Sequence, residues 1–409
     1  MTDVPMTLWR NREFNLLWAS QSLSDLGTAI SGLAVPLLVL ALTGSPVQAG
    51  LVGTLGLVTG VLFRLPAGVV ADRFDRRRIM LICDGVRFLA YLLLGVAVLR
   101  DRATLAMVIA VVLVASVGNA FFGTAEHSAL RSIVPVHQLP TAVARNEARS
   151  YATSLAGPPL GGVLFGLGHA VPFVGDAVTF LASMLGVALV RRPLQEHREA
   201  APAGHLAALV EGVRFVVGDP FLRTVVLVAA PLNLSLHGVI FTVIVTMQAH
   251  HTPPGIIGTV ETVVGVGGLL GSLLAPALQR RLPLPVLIRT VCLVAALLMS
   301  AGALVTDSVL AAVPVGLATL FGPATNAALF GHQAAITPDR LQGRVVSVII
   351  VLATSIAAAA PLIAGLLIAT VGSAAAVLVF AALVAGAAVK ATMSRGLRTQ
   401  TPAPGSTPA

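Results

Sequence analysis

The chain contains about twelve long runs of apolar residues, and this feature limits its possible folds more than any other. A helix needs about 20 apolar residues to cross the hydrocarbon core of a lipid bilayer. Inside that core each backbone amide must be hydrogen-bonded within its own segment, and for runs this long only helices allow it. We therefore predict an all-α integral membrane protein with twelve transmembrane helices. The runs centre on residues 14–41, 47–70, 79–99, 103–125, 146–168, 171–190, 222–247, 255–279, 284–305, 309–330, 345–369 and 373–392.

Composition excludes the other broad classes of protein. With 56% hydrophobic and only 11% charged residues, the chain is too apolar for a soluble globular protein. A membrane β-barrel would instead show alternating strands of about 10 residues. The N-terminus lacks a short apolar region followed by a small-residue cleavage site, so we predict no removable signal peptide. Cys83 and Cys292 fall in separate runs, which argues against a disulfide framework or a metal site.

The arginines indicate how the chain is oriented in the membrane. If the N-terminus is inside, Arg100 and Arg102 lie outside, Arg64 and Arg87 lie within runs, and the other Lys and Arg residues lie on the inner side. Because positive residues favour the cytoplasmic side, we predict a bacterial plasma membrane protein with both termini in the cytoplasm. Orientation and anionic lipid headgroups account for the net charge of +9, and we expect no nucleic acid partner.

The longest polar interruption, residues 191–205, divides six runs from six. An amphipathic helix is expected after it, around 206–218. The last residues are poor in apolar types and rich in Pro and Thr, a composition typical of disorder. The predicted organisation is an N-terminal six-helix bundle at 1–190, a cytoplasmic linker with the amphipathic helix at 191–220, a C-terminal six-helix bundle at 221–393 and a disordered cytoplasmic tail at 394–409.

The two halves share an internal pattern. A shift of 203 positions brings helix-breaking and charged residues of the first half onto the same types in the second, which favours two six-helix pseudo-repeats. Parallel repeats of this kind are found in many secondary transporters. Glycines also cluster in the eighth run, at 265–271, which suits helices that pack closely and bend. The matching pairs include Pro135 with Pro338, Pro158 with Pro361, Gly162 with Gly365, and Gly68 with Gly271.

Residues 68–78, G-V-V-A-D-R-F-D-R-R-R, form a densely charged loop between the second and third runs. Gly68 should let the second helix approach a neighbour closely. We expect Asp72 to face a helix N-terminus across the interface of the two bundles, near Gly343 and Arg344, where exposed N–H groups favour an anion. The alternative is a loop that only sets orientation, although orientation requires no acidic residue.

On these residues the chain resembles the major facilitator superfamily over all of its length except the tail. The loop matches the signature between helices 2 and 3 of that superfamily, a Gly followed by Asp-Arg and a basic cluster. In the superfamily this loop lies at the cytoplasmic contact of the two bundles and helps to lock the outward-facing state. The resemblance assigns this conformational gate to Gly68, Asp72, Arg73, Arg76 and Arg77.

Further motifs place the chain near one branch of the superfamily. The segment G-P-P-L-G-G at 157–162 resembles the core of a motif of antiporting exporters, which implies a role for Gly157, Pro158, Gly161 and Gly162. The arginine that many drug exporters carry in the middle of helix 4 is absent, so no proton relay built on it is implied. Resemblance to enterobactin exporters and macrolide efflux pumps comes from residues 12–14, 42–45, 211–215 and 338–344.

Asp25 is the ionisable residue that we expect to matter most. It lies about 11 residues past Phe14, which places it roughly 16 Å deep in the membrane. A carboxylate at that depth is costly unless it faces a cavity, pairs with a cation or takes up a proton. We predict proton coupling or substrate contact for Asp25, with Arg64 as a partner within reach. The alternatives are a structural ion pair and a hydrogen-bonding role.

Other polar residues within the runs are weaker candidates for proton coupling or substrate contact. For Glu126, at the cytoplasmic end of helix 4, the alternative is an interfacial position in contact with solvent. Asp176 and Glu261 could contact cargo or form hydrogen bonds between helices, and His237 could reach a cavity or be a satisfied core residue. Asp84 and Arg87, spaced i, i+3 on one helix, are predicted to pair.

The sequence favours a secondary active transporter, a proton-coupled antiporter that exports small amphiphilic molecules by alternating access. Its expected partners are a small-molecule substrate, protons and membrane lipids; we expect a monomer with no cofactor and no metal. A lipid or lysolipid flippase, or an importer of the same fold, is the nearest alternative. An intramembrane enzyme should carry paired catalytic groups, and no H-E-x-x-H, G-x-S-x-G or Walker-type motif is present. A receptor or scaffold would usually add a folded soluble domain.

Overall fold

The computed structural model describes residues 8, 11–191, 194, 205–338 and 341–394. Nearly all of these residues are helical, and no strand occurs among them. Eleven helical stretches in this described part are long and apolar enough to cross a membrane. The predicted fifth span corresponds to the 29-residue helix Leu139–Leu167, which is not among these eleven stretches. The prediction of an all-α membrane protein is therefore confirmed.

The helices of the first half follow one another with short connections. They are α1 (Arg12–Thr43), α2 (Pro46–Arg73), α3 (Arg76–Leu99), α4 (Leu105–Ile133), α5 (Leu139–Leu167) and α6 (Val171–Leu189). The linker also contains the helix that we expected, and this helix is the seventh in chain order. The seventh predicted membrane span is therefore the eighth α-helix. The remaining helices are α7 (His205–Gly218), α8 (Pro220–Ala249), α9 (Pro254–Arg281), α10 (Leu284–Gly302), α11 (Ala312–Thr319), α12 (Gly322–Ile336), α13 (Gln342–Ser355), α14 (Ala360–Val371) and α15 (Ser373–Met393).

Two of the predicted spans are broken helices. The tenth, Val309–Ile336, contains α11 and α12, and the eleventh, Gln342–Val371, contains α13 and α14 joined by a 3-10 turn. Most of the predicted tail, 395–409, and most of the linker before α7, 195–204, lie outside the described residues. So do Asp339 and Arg340 of the branch motif at 338–344.

The helices form two compact units. The first contains Met1–Ala201 together with His251–Thr262, so the first turns of α9 belong to it. In this unit α1 packs against α5 and α6, α3 packs against α4 and α6, and α2 packs against α4. The second contains Pro202–His250 and Val263–Ala409. In it α15 packs against α8 and α10, and α7 packs against α13.

Side chains at the helix ends explain two of the sequence motifs. The backbone of Gly44 adopts a left-handed conformation, φ +64°, which ends α1, and the Ser45 hydroxyl then accepts a hydrogen bond from Gln48 N to begin α2. In the charged loop, Asp75 caps α3 by accepting from Arg78 N at 2.8 Å. Of the two acidic residues in this loop, Asp72 and Asp75, the second is therefore a helix cap. A loop that only sets orientation would require neither.

Candidate functional site

Three helices of the first unit bring together a buried ion cluster formed by Asp25 on α1, Glu126 on α4 and Arg149 on α5. Arg149 Nη2 lies 3.3 Å from Asp25 Oδ2 and 3.6 Å from Glu126 Oε1. The side chains of Arg149 and Glu126 are only 7% and 4% exposed, whereas that of Asp25 is 36% exposed. A single guanidinium is thus shared by two carboxyl groups, only one of which has substantial access to the surroundings.

Other polar side chains complete the cluster. The other Arg149 nitrogen, Nη1, donates to Gln21 Oε1, one turn before Asp25 on α1. Asn146, one turn before Arg149 on α5, donates to Glu126 Oε1 at 3.3 Å. His127 is exposed, and its Nδ1 lies 3.4 Å from Glu126 Oε2 and 2.7 Å from the Gly123 carbonyl oxygen. Each carboxyl group therefore has a partner when it is ionised.

The charge balance of the ion cluster determines what it can do chemically. Two ionised carboxylates beside one guanidinium leave one negative charge uncompensated, and burying such a charge away from water is costly. The cost falls when one carboxyl group takes up a proton and Arg149 pairs with the other. The more exposed carboxyl group, Asp25, is the one that is open to the surroundings of the cluster. The arrangement can therefore hold and release one proton.

The sequence offered Arg64 as the partner of Asp25, whereas the structure pairs Asp25 with Arg149. Arg64 is exposed on α2, and no ion pair joins it to Asp25 in the described part of the chain. Sequence reasoning leaves Arg149 on the inner side, because it lies only three residues into the apolar run 146–168. The helix actually begins at Leu139, so Arg149 lies ten residues inside it. The interfacial alternative for Glu126 is also wrong, because its side chain is buried.

Asp84 and Arg87 form the predicted pair on α3. Arg87 Nη2 lies 2.5 Å from Asp84 Oδ1, and both side chains are buried. The guanidinium of Arg87 also lies over the rings of Phe122 and Phe180, 4.9 and 4.3 Å from their centroids. Aromatic faces on two other helices thus hold this cation in place, and the pair stabilises the contact of α3 with α4 and α6.

The other acidic candidates do not join the ion cluster. Asp176 on α6 is fully buried and accepts hydrogen bonds from Ser31 on α1 at 2.5 Å and from Thr179 at 3.2 Å. This geometry matches the helix–helix hydrogen-bonding alternative. Glu261 on α9 is half-buried, and His237 on α8 is exposed, with Nδ1 2.9 Å from the Asn233 carbonyl oxygen.

The basic residues of the 68–78 loop make contacts within the first unit. Arg76 is buried and donates to the carbonyl oxygens of Ala71 at 3.4 Å and of Ser128 and Leu194 at 3.1 Å each. Arg77 donates to the Ala188 carbonyl near the end of α6. Of these acceptors, Ala71 and Ala188 lie in the last turns of α2 and α6, where carbonyl groups lack partners within the helix and attract cations. Arg76 and Arg77 therefore fasten the start of α3 to neighbouring segments.

The other members of the proposed gate lie in open positions. Asp72 and Arg73, at the end of α2, are exposed. A Cβ atom built at Gly68 would meet no atom within 4 Å. The expected close helix approach at Gly68 is therefore wrong for this structure, because the space beside it is open.

The glycines of the 157–162 motif bring α5 close to two helices. A Cβ atom on Gly161 would lie 2.6 Å from the Ile30 carbonyl oxygen of α1, and one on Gly157 would overlap Ala29. On another face of α5, a Cβ atom on Gly162 would overlap the Pro254 carbonyl at the start of α9. Pro158 contributes its carbonyl to the same contact, next to Gly258. Only glycine allows backbones to approach this closely on both sides.

Sequence comparison relates the chain to bacterial efflux proteins. It is 29% identical over 382 residues to the multidrug efflux pump Tap of Mycobacterium tuberculosis, covering 88% of this chain and 86% of that protein. The pump of the same name from Mycolicibacterium fortuitum is 29% identical over 259 residues, 60% of this chain and 62% of the pump. Macrolide efflux protein A of Streptococcus pyogenes is 23% identical over 271 residues, 64% and 65% of the two chains. The chain thus spans less than two thirds of the length of two of these relatives.

Solved structures support the same fold. A bacterial homologue of the iron transporter ferroportin superposes with a TM-score of 0.74 at 17% identity, covering 95% of this chain and 99% of that one. At this identity the likeness concerns the fold alone. The family described as transmembrane secretion effector matches residues 4–403. Because this match spans nearly the whole chain, the protein belongs to the transmembrane secretion effector family of the major facilitator superfamily and is a multi-pass membrane transporter, not an enzyme.

Proposed function

We propose that the protein is a proton-coupled antiporter that exports small amphiphilic molecules, of the antibiotic or siderophore-like kind, by alternating access. The names of its relatives, multidrug efflux pump and macrolide efflux protein, support export of such cargo. The observation that carries the proposal is the ion cluster, in which Arg149 is shared by two carboxyl groups. An antiporter needs a group that exchanges a proton as the protein changes state, and we assign that role to the ion cluster.

The ion cluster would alternate between two charge arrangements. With a proton on Asp25, Arg149 pairs with Glu126, and Asn146 holds that carboxylate in place. When Asp25 loses its proton, it competes with Glu126 for the same guanidinium, 3.3 Å away. Because the three residues lie on α1, α4 and α5, the exchange changes how strongly these helices attract each other. Movement of the helices would thereby be coupled to the proton.

The loop and the glycine motif would serve the same cycle. We place the conformational gate at Gly68, Asp72, Arg73, Arg76 and Arg77. Arg76 and Arg77 support it by fixing α3 to carbonyl groups in the first unit. Close contacts of Gly157, Pro158, Gly161 and Gly162 with α1 and α9 support an antiporter-type role for that motif.

We further propose a monomeric protein in the bacterial plasma membrane, surrounded by lipid, with both termini in the cytoplasm. The proposed bundles are 1–190 and 221–393, joined by the linker at 191–220. Single cysteines placed in the exposed 72–75 segment, in a variant lacking Cys83 and Cys292, should react with a membrane-impermeant maleimide only in inside-out vesicles. Labelling in intact spheroplasts would show that the orientation is the opposite of the one we propose.

Proton coupling can be tested with the purified protein in liposomes. A radiolabelled macrolide should accumulate when a proton gradient is imposed, and Asp25→Asn and Glu126→Gln should reduce that response by more than about tenfold, since each removes one ionisable carboxyl group. Glu147→Gln, an exposed position on the same helix as Arg149, serves as the control and should transport normally. Macrolide transport that is equal with and without the gradient would exclude the proton antiport mechanism.

The same liposomes can distinguish the alternatives. A flippase would move a fluorescent phospholipid between leaflets, which dithionite quenching measures, without moving the macrolide. An importer would accumulate the macrolide only in vesicles of the opposite orientation. Either result would replace the export proposal while leaving the fold unchanged.

A further inference from the structure

The second unit contains a cavity of about 210 Å³ between α8, α10 and the broken span formed by α11 and α12. Its walls are mostly aliphatic, and those on α10 are almost completely buried. The lining residues on α8 and α10 are Val225, Val228, Ala229, Leu232, Asn233, Leu236, Ile288, Val291, Ala295 and Met299, and those on the broken span are Ala318, Thr319, Gly322, Thr325, Asn326 and Leu329.

Glycines on α9 explain why this space exists. Gly267 and Gly271 allow α9 to contact the backbone of the broken span at Gly316 and Leu320, where any Cβ atom would overlap a carbonyl group. The Thr319 hydroxyl donates to the Val264 carbonyl at 3.1 Å, which fixes the same contact. The broken span is thereby held against α9. Its opposite side, which carries Ala318 and Gly322, is left facing the cavity.

The ends and the break of the span shape the cavity. On the side of Val225 and Leu329, the ring of Phe221 on α8 meets that of His332 on α12, with centroids 4.6 Å apart. Each ring lies one helix turn beyond the lining residue of its own helix, Val225 or Leu329. At the break, a Cβ atom on Gly322 would meet nothing within 4 Å, so the absence of a side chain there leaves the space open.

The chemistry of the lining is neutral with two amide groups. No charged side chain is among the lining residues. Asn233 uses its Nδ2 to donate to the Ala229 carbonyl at 2.9 Å, which leaves its amide oxygen as an acceptor. The Asn326 amide makes no side-chain hydrogen bond within the described part of the chain, and the residue is exposed. The hydroxyls of Thr319 and Thr325 donate to backbone carbonyls.

We propose that this cavity is a binding site for the apolar part of an uncharged amphiphile, whose polar group hydrogen-bonds to the amides of Asn233 and Asn326. A charged ligand would find no counter-ion among these lining residues. A ligand without polar groups, such as an acyl chain, would leave the two amides without a hydrogen-bonding partner. The volume lies below the ~300 Å³ at which pockets for whole drug-sized molecules begin. The site therefore takes a small molecule or one portion of a larger one.

The inference rests on the proposed export function only in taking this ligand to be cargo. The ion cluster belongs to the first unit and the cavity to the second, and they share no residue. Binding without any proton gradient therefore tests the cavity separately from the coupling. Asp25→Asn should reduce gradient-driven transport by more than about tenfold and leave binding to the cavity unchanged.

The experiment measures equilibrium binding to the full-length protein in lipid nanodiscs. The probe is radiolabelled chloramphenicol, an uncharged amphiphile with amide and hydroxyl groups. The competitor is tetraphenylphosphonium, a lipophilic cation. We expect saturable chloramphenicol binding that the cation displaces poorly. Ala295→Phe should fill the cavity and weaken binding at least about tenfold, whereas Leu297→Phe, exposed on the same helix, should bind as the wild type does.

Two further variants protect the test against misfolding. Gly322→Leu should extend a side chain into the same space from a Cβ atom that meets nothing within 4 Å, and so weaken binding while the thermal midpoint is kept. Asn233→Ala and Asn326→Ala should each weaken binding about fivefold, as the loss of one hydrogen bond does. The proposal is overturned if the filling variants bind like the wild type, if the cation competes as well as unlabelled chloramphenicol, or if the wild type binds no probe. It is also overturned if native mass spectrometry finds a phospholipid that only the filling variants lose.

Discussion

Arg149 on α5 holds Asp25 on α1 by an ion pair of 3.3 Å between residues 124 positions apart in the chain. The same guanidinium nitrogen also reaches Glu126. A neutralising substitution at position 149 therefore changes both the geometry and the charge of the ion cluster. A conservative substitution, Arg149→Lys, would change only its geometry.

Arg149→Gln should lower stability and abolish gradient-driven transport. It leaves two carboxyl groups without their cation, and breaking a buried ion pair costs about 3 kcal/mol. The double variant Arg149→Gln with Glu126→Gln should recover much of the lost thermal midpoint, because it removes the more deeply buried carboxylate. Thermal unfolding of the purified variants in detergent measures both. Equal midpoints for the single and double variants would contradict the charge balance that we describe.

Ser31→Ala should destabilise the protein without altering its coupling. The variant leaves a fully buried Asp176 oxygen without its 2.5 Å donor from α1, which should cost about 1–3 kcal/mol. Ser22→Ala, on the same helix, removes only a hydroxyl bonded to the Trp18 carbonyl of its own helix and provides the comparison. We expect a lower midpoint for Ser31→Ala and a normal response to the proton gradient per folded molecule. A loss of that response at unchanged stability would instead place Asp176 in the proton pathway.

Gly161→Ala should be strongly destabilising. Its new Cβ atom would lie 2.6 Å from the Ile30 carbonyl oxygen, so α1 and α5 would have to separate. Gly166→Ala, five residues further along α5, brings its Cβ only to 3.9 Å from Pro254 Cδ and should be tolerated. The yield of monodisperse protein and the thermal midpoint measure the difference. Similar behaviour of the two variants would show that the close approach is not required.

Gly68→Ala should leave stability unchanged or raise it slightly. The new methyl group meets no atom within 4 Å, and alanine within a helix is favoured over glycine by about 1 kcal/mol. The thermal midpoint and the transport rate should be measured together. A normal midpoint with slower transport would support a gate role for Gly68 in a conformation other than the one described here. A large fall in the midpoint would contradict the open surroundings seen at Gly68.

The sequence by itself determined the features that depend on neighbouring residues. The all-helical membrane architecture follows from runs of about 20 apolar residues, since the cost of burying backbone and side chains in lipid is set locally. The Asp84–Arg87 pair follows from i, i+3 spacing on one helix turn. The motif at 42–45 marks a helix end because glycine tolerates the left-handed backbone of Gly44.

Only the tertiary structure decided which residues meet across helices. The choice of Arg149 over Arg64 as the partner of Asp25, and the contact of Arg76 with the Leu194 carbonyl, depend on how each helix is rotated and where it begins. The hydropathy of the sequence carries little information about that rotation, because lipid-facing and buried positions in a membrane helix are both apolar. The partners of a buried charge are therefore set by packing between distant segments, which no local pattern records.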